Sequence, residues 1–153
     1  MNKLLRTVIA EYPALQGHRE RITFECPVPP VRANSAALSQ CLSNLLINAL
    51  KFMPAGRDPE VHVSCEHSNG HVRISVRDNG IGIKPEHQQQ IFGAFKRLHH
   101  VHQYEGTGIG LAIVKRAVER MHGTVGVESE LGQGSRFWIE LPKADESHLG
   151  RQN

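Results

Sequence analysis

No run of apolar residues approaches the roughly eighteen that a membrane-spanning helix needs, and residues 1–16 lack the continuous apolar core of a signal peptide. A soluble, cytoplasmic chain is expected. Cysteine is scarce and odd in number. Cys26, Cys41 and Cys65 form no C-x-x-C pair and sit in apolar patterns, so reduced core thiols are expected rather than bridges or zinc ligands. The ten His include no H-E-x-x-H spacing. Charge of one sign is missing too: the formal net charge is +3, with 7 Lys/Arg against 3 Asp/Glu up to residue 57 and 11 against 12 beyond it. So mild an asymmetry excludes a nucleic-acid footprint. There is no internal repeat and no low-complexity segment, and 153 residues is the size of one domain, too short to carry a sensor and an effector as well.

What the chain does have is glycine in clusters, 14 in all, set among clear periodic patterns. Leu4, Leu5, Val8, Ile9 and Tyr12 make one side of a weak helix over residues 4–16, loosened at Pro13. Ile22 and Phe24 alternate with polar neighbours as a short strand. After Pro27, Pro29 and Pro30, Asn34 or Ser35 can cap a helix running to about Phe52. Its buried face is Leu38, Cys41, Leu42, Leu45, Leu46, Ala49 and Met53. Gln40, Asn44, Asn48 and Lys51 form a polar stripe on the other side. Asn is a poor residue for a helix interior, so two in register there ask for a reason.

Val61, Val63 and Cys65, then Val72, Ile74 and Val76, alternate about Asn69-Gly70 as an antiparallel hairpin. Asp78 shares the parity of Val72, Ile74 and Val76, so its carboxylate is expected on the buried face. A short amphipathic helix is predicted around Pro85–Phe95, followed by His-rich sequence of weak pattern. A second helix runs from about Gly108 to Met121, with Leu111, Val114, Val118 and Met121 inward and Gly123 at its end. Val125 and Val127, then Phe137, Ile139 and Leu141, make the last two strands, with Pro142 as the stop.

Three glycine-rich segments have chemical potential. Asp78-Asn79-Gly80-Ile81-Gly82 sets a carboxylate at a strand end beside glycines that admit a ligand to the backbone. A buried carboxylate needs donors, and the exocyclic amine of a purine would serve. Gly106-Thr107-Gly108-Ile109-Gly110-Leu111 opens a helix, where unpaired amides suit phosphate oxygens; it is neither a Walker loop nor a G-x-G-x-x-G fingerprint. Gly132-Gln133-Gly134-Ser135 alone would be only a hairpin turn.

In this order, together with Ile91-Phe92-Gly93-Ala94-Phe95-Lys96-Arg97, these segments resemble the ATP-binding catalytic domain of sensor histidine kinases. That family shares a superfamily with type II topoisomerases, ninety-kilodalton heat-shock chaperones and mismatch-repair ATPases. The resemblance covers about Leu4–Pro142, and the run from Gly106 to Arg116 looks like the kinase branch, phytochrome-type kinases included. It implies an α+β fold: a two-layer α/β sandwich in which a mixed, mainly antiparallel sheet of about five strands packs on about three helices under an ATP lid. Residues 1–142 are then the domain, and 143–153 a polar, frayed tail.

The resemblance also implies ATP and Mg2+ as cofactors and assigns roles by position. Asn48 is the expected Mg2+ ligand, Asn44 its companion at the catalytic position, and Lys51 a phosphate contact. Asp78 reads adenine, with Gly80 and Gly82 shaping the pocket. Phe92 and Phe95 anchor the lid, and Arg97, with Lys96, steadies the γ-phosphate or touches the acceptor helix. Gly106, Thr107, Gly108, Gly110 and Leu111 flank the triphosphate, and Ser135 stands where the family usually has Thr near adenine. Of the lid histidines, His99, His100 and His102, no metal role is expected.

The family's phosphoacceptor His has no counterpart here: His18 precedes Arg-Glu-Arg and a strand signal and is expected as an exposed loop residue. The implied protein is the catalytic half of a kinase, monomeric by itself, with no nucleic-acid or membrane contact. It depends on a His-bearing dimerisation domain and a downstream response regulator. The alternative is a serine kinase of the anti-sigma-factor type, against which the phenylalanine box and the Ala-Ile-Val-Lys-Arg continuation speak. A topoisomerase-like ATPase would need an acid where Asn44 stands, since Asn cannot act as a general base.

Overall fold

A computed structural model describes residues 1–27, 29–93 and 110–145. Helix α1 (Asn2–Glu11) buries Leu5, Val8 and Ile9, and Pro13 restarts the chain as the one-turn α2 (Pro13–Gln16), which adds Leu15 to the core. The long helix α3 (Ser35–Lys51) begins where Asn34 Oδ1 accepts the Ala37 N–H at 2.9 Å. Such a cap satisfies one of the orphan amides of the first turn. Asn34→Ala should therefore cost about 1 kcal/mol, read as a lower urea midpoint at unchanged slope. The predicted inward residues from Leu38 to Ala49 are buried, joined by Ser43, whose hydroxyl folds back onto the Gln40 carbonyl at 2.8 Å.

The sheet has five strands in the order β1-β2-β3-β5-β4: β1 (Ile22–Glu25), β2 (Val61–Ser68), β3 (His71–Asp78), β4 (Thr124–Glu130) and β5 (Gly134–Pro142). Among the described strands only β1 and β2 run parallel. A parallel pair needs a crossover, and α3 is that crossover, so topology lays the apolar face of α3 on the sheet and leaves its polar stripe turned away from it. Helices α1, α3 and α4 (Gly110–Arg120) cover one face, where Val63, Val72, Ile74, Ile139 and Leu141 are wholly buried. The other face is polar except for Trp138, whose ring lies where a side chain at Gly126 would stand; the Arg73 guanidinium sits 3.9 Å above it and pairs with Glu140 at 3.0 Å.

Three expectations change. The cysteines are not all free: Cys26 and Cys65 form a disulfide with Cα atoms 4.8 Å apart. Pairing of Glu25 with Ser64 carries the next residue of each strand side by side, a consequence of parallel register that a separation of 39 residues does not announce. Only Cys41 is a free buried thiol among the described residues, pushed up to about 11 by burial. The segment predicted as a helix from Pro85 is a 3-10 turn at Pro85–His87 followed by further turns to Gly93. Its backbone bonds reach back three residues, as in Gln90 to His87 and Gly93 to Gln90, while the Gln88 side-chain Nε2 donates to the carbonyls of Ile83 and Ser129. Finally, α4 closes not on Gly123 but on His122, which takes the left-handed conformation at φ 63° while the Gly123 N–H returns to Val118 O at 2.9 Å. Gly123 is needed for space, since a methyl there would lie 2.2 Å from the Glu140 carbonyl oxygen.

Beyond Pro142, the backbone N–H of Lys143 bonds to Gly70 O and that of Ala144 to Pro30 O. Residues 146–153 lie outside the described residues.

Candidate functional site

The site is built from the ends of β3 and β5 and the loops that meet there. As its parity requires, Asp78 follows the buried Val72, Ile74 and Val76 on the helix-covered face. Its Oδ1 accepts the Gly80 N–H at 2.8 Å and the Ser135 N–H at 3.2 Å. Burial pushes the carboxyl up to about 6, partly opposed by those two N–H bonds. A carboxylate held at one oxygen in a half-buried setting is an acceptor prepared for a ligand's donor.

Gly80 and Gly82 have steric reasons. A methyl on Gly80 would stand 2.4 Å from the Phe52 carbonyl oxygen, and Gly82 sits at φ +74° with its missing methyl 2.2 Å from Glu130 O. The loop is thus pressed between the end of α3 and the β4–β5 turn. Ile81 N–H donates to Phe52 O at 3.0 Å and Gly132 N–H donates to Ile81 O at 2.8 Å.

Phe52 follows α3 directly and its N–H bonds to Asn48 O, so the Asp78 loop is docked on the helix turn that carries Asn48 and Lys51. Both residues are half-buried, as is Asn44. The Lys51 ammonium lies 5.4 Å from the Phe52 ring centre. A methyl at Gly110 would stand 3.7 Å from Asn44 Oδ1, so the first turn of α4, with Leu111, faces the asparagine stripe. Ser135 is buried beside Asp78. Phe92 packs edge-on against Phe137 with ring centres 6.2 Å apart, which anchors the start of the segment expected to form the lid. Phe95, Lys96, Arg97, His99, His100, His102, Gly106, Thr107 and Gly108 lie outside the described residues.

Sequence reading missed two residues. Arg57 Nη1 donates to the carbonyls of Asn79 (2.9 Å), Gly80 (3.3 Å) and Gly132 (3.2 Å), stitching the Asp78 loop to the β4–β5 turn. Ser129 Oγ lies 2.7 Å from Ser135 Oγ. Neither makes a pattern along the chain, because each acts on backbone or side chain brought near only by the fold.

Residues 33–145 match the family described as histidine kinase-, DNA gyrase B- and HSP90-like ATPase. The chain belongs to this family. Within it, relatives include cyanobacterial phytochrome A of Nostoc sp., 44% identical over 76% of this chain and 15% of that protein. Another is the sensor histidine kinase AruS of Pseudomonas aeruginosa, 46% identical over 70% of this chain and 11% of that protein. The crystal structure of full-length ShkA in complex with AMPPNP superposes with a TM-score of 0.74 at 38% identity, covering 93% of this chain and 30% of that one. The chain therefore spans well under half the length of these proteins and corresponds to their histidine-kinase-type ATPase domain. No helix among the described residues of this family member is long and apolar enough to cross a membrane.

Proposed function

We propose that the domain binds ATP with Mg2+ and donates the γ-phosphate to a His on a separate dimerisation domain, from which a response regulator would be served. The observation that carries this reading is the Asp78 carboxylate, fixed at Oδ1 by Gly80 and Ser135 and docked through Phe52 onto the asparagine stripe of α3. That arrangement offers an acceptor for the adenine amine at one end and hard carboxamide oxygens at the other. The Asn48 carboxamide fits a Mg2+ ion by donor chemistry, and the ion, when bound, would neutralise phosphate charge. Asn44 faces the start of α4, where backbone N–H groups suit phosphate oxygens. Lys51 is proposed as a phosphate contact, and Arg97 as the residue that steadies the γ-phosphate. ATP is a cytoplasmic substrate, so the domain is proposed to work there.

In phosphoryl transfer the protein positions groups and offsets charge, and the nucleophile comes from the acceptor helix. Two measurements test this. ATP with Mg2+ at a hundred times its dissociation constant should stabilise the domain by about 2.7 kcal/mol, seen as a raised Tm. Asn48→Ala should lose the Mg2+-dependent part of that rise while keeping the weaker metal-free part. Labelled ATP with a His-bearing dimerisation domain should yield acid-labile phosphate; acid-stable phosphoserine, or steady ATP turnover by the domain alone, would sink the kinase reading.

A further inference from the structure

The helix-covered face carries a polar row across three strands at the end of the sheet: Asp78 on β3, Ser135 on β5 and Ser129 on β4. Ser129 is paired directly with Ser135 in the strand register. Among the described residues its hydroxyl has three hydrogen-bonding neighbours. It accepts the Ile83 N–H at 2.8 Å, it lies 2.9 Å from the Gly134 carbonyl oxygen, and it lies 2.7 Å from the Ser135 hydroxyl.

A carbonyl oxygen can only accept, and a serine hydroxyl has one hydrogen to give. Ser129 must therefore spend its hydrogen on Gly134 O, or leave two bare oxygens facing one another at hydrogen-bond distance. The hydrogen between the two serines then belongs to Ser135 and points at Ser129. In this arrangement every bond has a donor, and the Ser135 oxygen is left with lone pairs only.

We propose that Ser129 is a positioning residue that fixes Ser135 as a pure acceptor and thereby sets which purine the site accepts. This rests on the ATP reading above. Ser135 N–H binds Asp78 Oδ1, so a base held by Asp78 meets the Ser135 oxygen directly or through one water. A 6-amino purine brings two N–H donors to two acceptors. A 6-oxo purine can offer its N1–H to Asp78, but its O6 then faces a Ser135 oxygen that has no hydrogen to give. Serine at this position could otherwise rotate to serve either base, and Ser129 removes that freedom.

The test is the ratio of dissociation constants for ITP and ATP, both with Mg2+, in the whole chain. The parent should prefer ATP. Ser129→Ala frees the Ser135 hydrogen to turn toward O6, so the preference should fall about tenfold, mainly through tighter ITP binding. Ser129→Cys keeps the volume but is a poor acceptor and should act likewise if the alanine variant does not fold; Ser129→Thr should restore the parent ratio. With Ser135→Ala in place, Ser129→Ala should change the ratio no further, because the hydroxyl it controls is gone. An unchanged ratio in both Ser129→Ala and Ser129→Cys, an equal loss of both nucleotides, or the same effect with and without Ser135 would overturn the proposal while leaving ATP binding intact. Failure of the parent to bind ATP at all would instead remove the nucleotide reading on which it stands.

Discussion

Asp78→Asn should separate stability from binding, keeping the fold and weakening ATP by about one to two orders of magnitude. The substituted carboxamide oxygen can still accept from Gly80 and Ser135, so the loop keeps its two bonds. Its amide nitrogen, however, puts donors where the adenine amine needs an acceptor. A hydrogen bond to a charged group is worth about 1.5–3 kcal/mol, which is the expected loss. Isothermal titration of both proteins with Mg-ATP checks it; equal affinities would remove Asp78 from the site.

The same residue gives a pH signature. Burial raises the carboxyl to about 6, and only the ionised form keeps both oxygens as acceptors, one held by the Gly80 and Ser135 N–H groups and the other open to the amine hydrogen that Asp78 takes. ATP affinity should rise with pH through about 6 and level off above it, a change of about tenfold between pH 5 and 7.5 for one proton. Asp78→Asn should lack this component, leaving only the titration of the phosphates. For stability the sign is opposite. The folded-state value lies above the unfolded one, so the contribution of Asp78 is fully present below about 3.8 and is lost as pH rises through about 6. The asparagine variant, neutral throughout, should melt above the parent at pH 7.5, and the gap should close toward pH 4.

Cys26→Ser should cost about 3–4 kcal/mol under oxidising conditions. The bridge closes a loop of 39 residues that includes the whole of α3, and the entropy it removes from the unfolded chain scales with that length. Urea midpoints with and without dithiothreitol check it: reductant should lower the parent to the level of the variant and leave the variant unmoved. The buried Cys41 should contribute nothing to this difference, since burial holds it as a protonated thiol. Where glutathione keeps thiols reduced, the domain would stand on the smaller margin, and nucleotide would then supply a larger share of its stability.

Local periodicity made much of this molecule legible. The buried face of α3 follows one stripe, the alternation of β3 sends Asp78 inward, and Asn69-Gly70 turns its hairpin with both residues left-handed. What was not legible depends on partners distant in the chain. Nothing in residues 22–26 states that they will lie parallel to 61–65, and so nothing announced the disulfide. The turns after Pro85 were not legible because the Gln88 side chain is tied to the Ser129 carbonyl on β4, 41 residues further on, while Ile91 is buried in the core as it would be on a helix. Arg57 and Ser129 read as ordinary surface residues until the glycine loops are folded against them.

The lone tryptophan has a practical consequence. Trp138 occupies the helix-free face of the sheet, with the Arg73 guanidinium stacked on it, while Asp78 and Ser135 face the helices. Its ring sits in the β3–β5 pairing, with the sheet between it and whatever fills the opposite side. The domain should thus carry a built-in optical gauge of its own integrity, its emission expected to stay level while the ligand site empties and to move when the strands part.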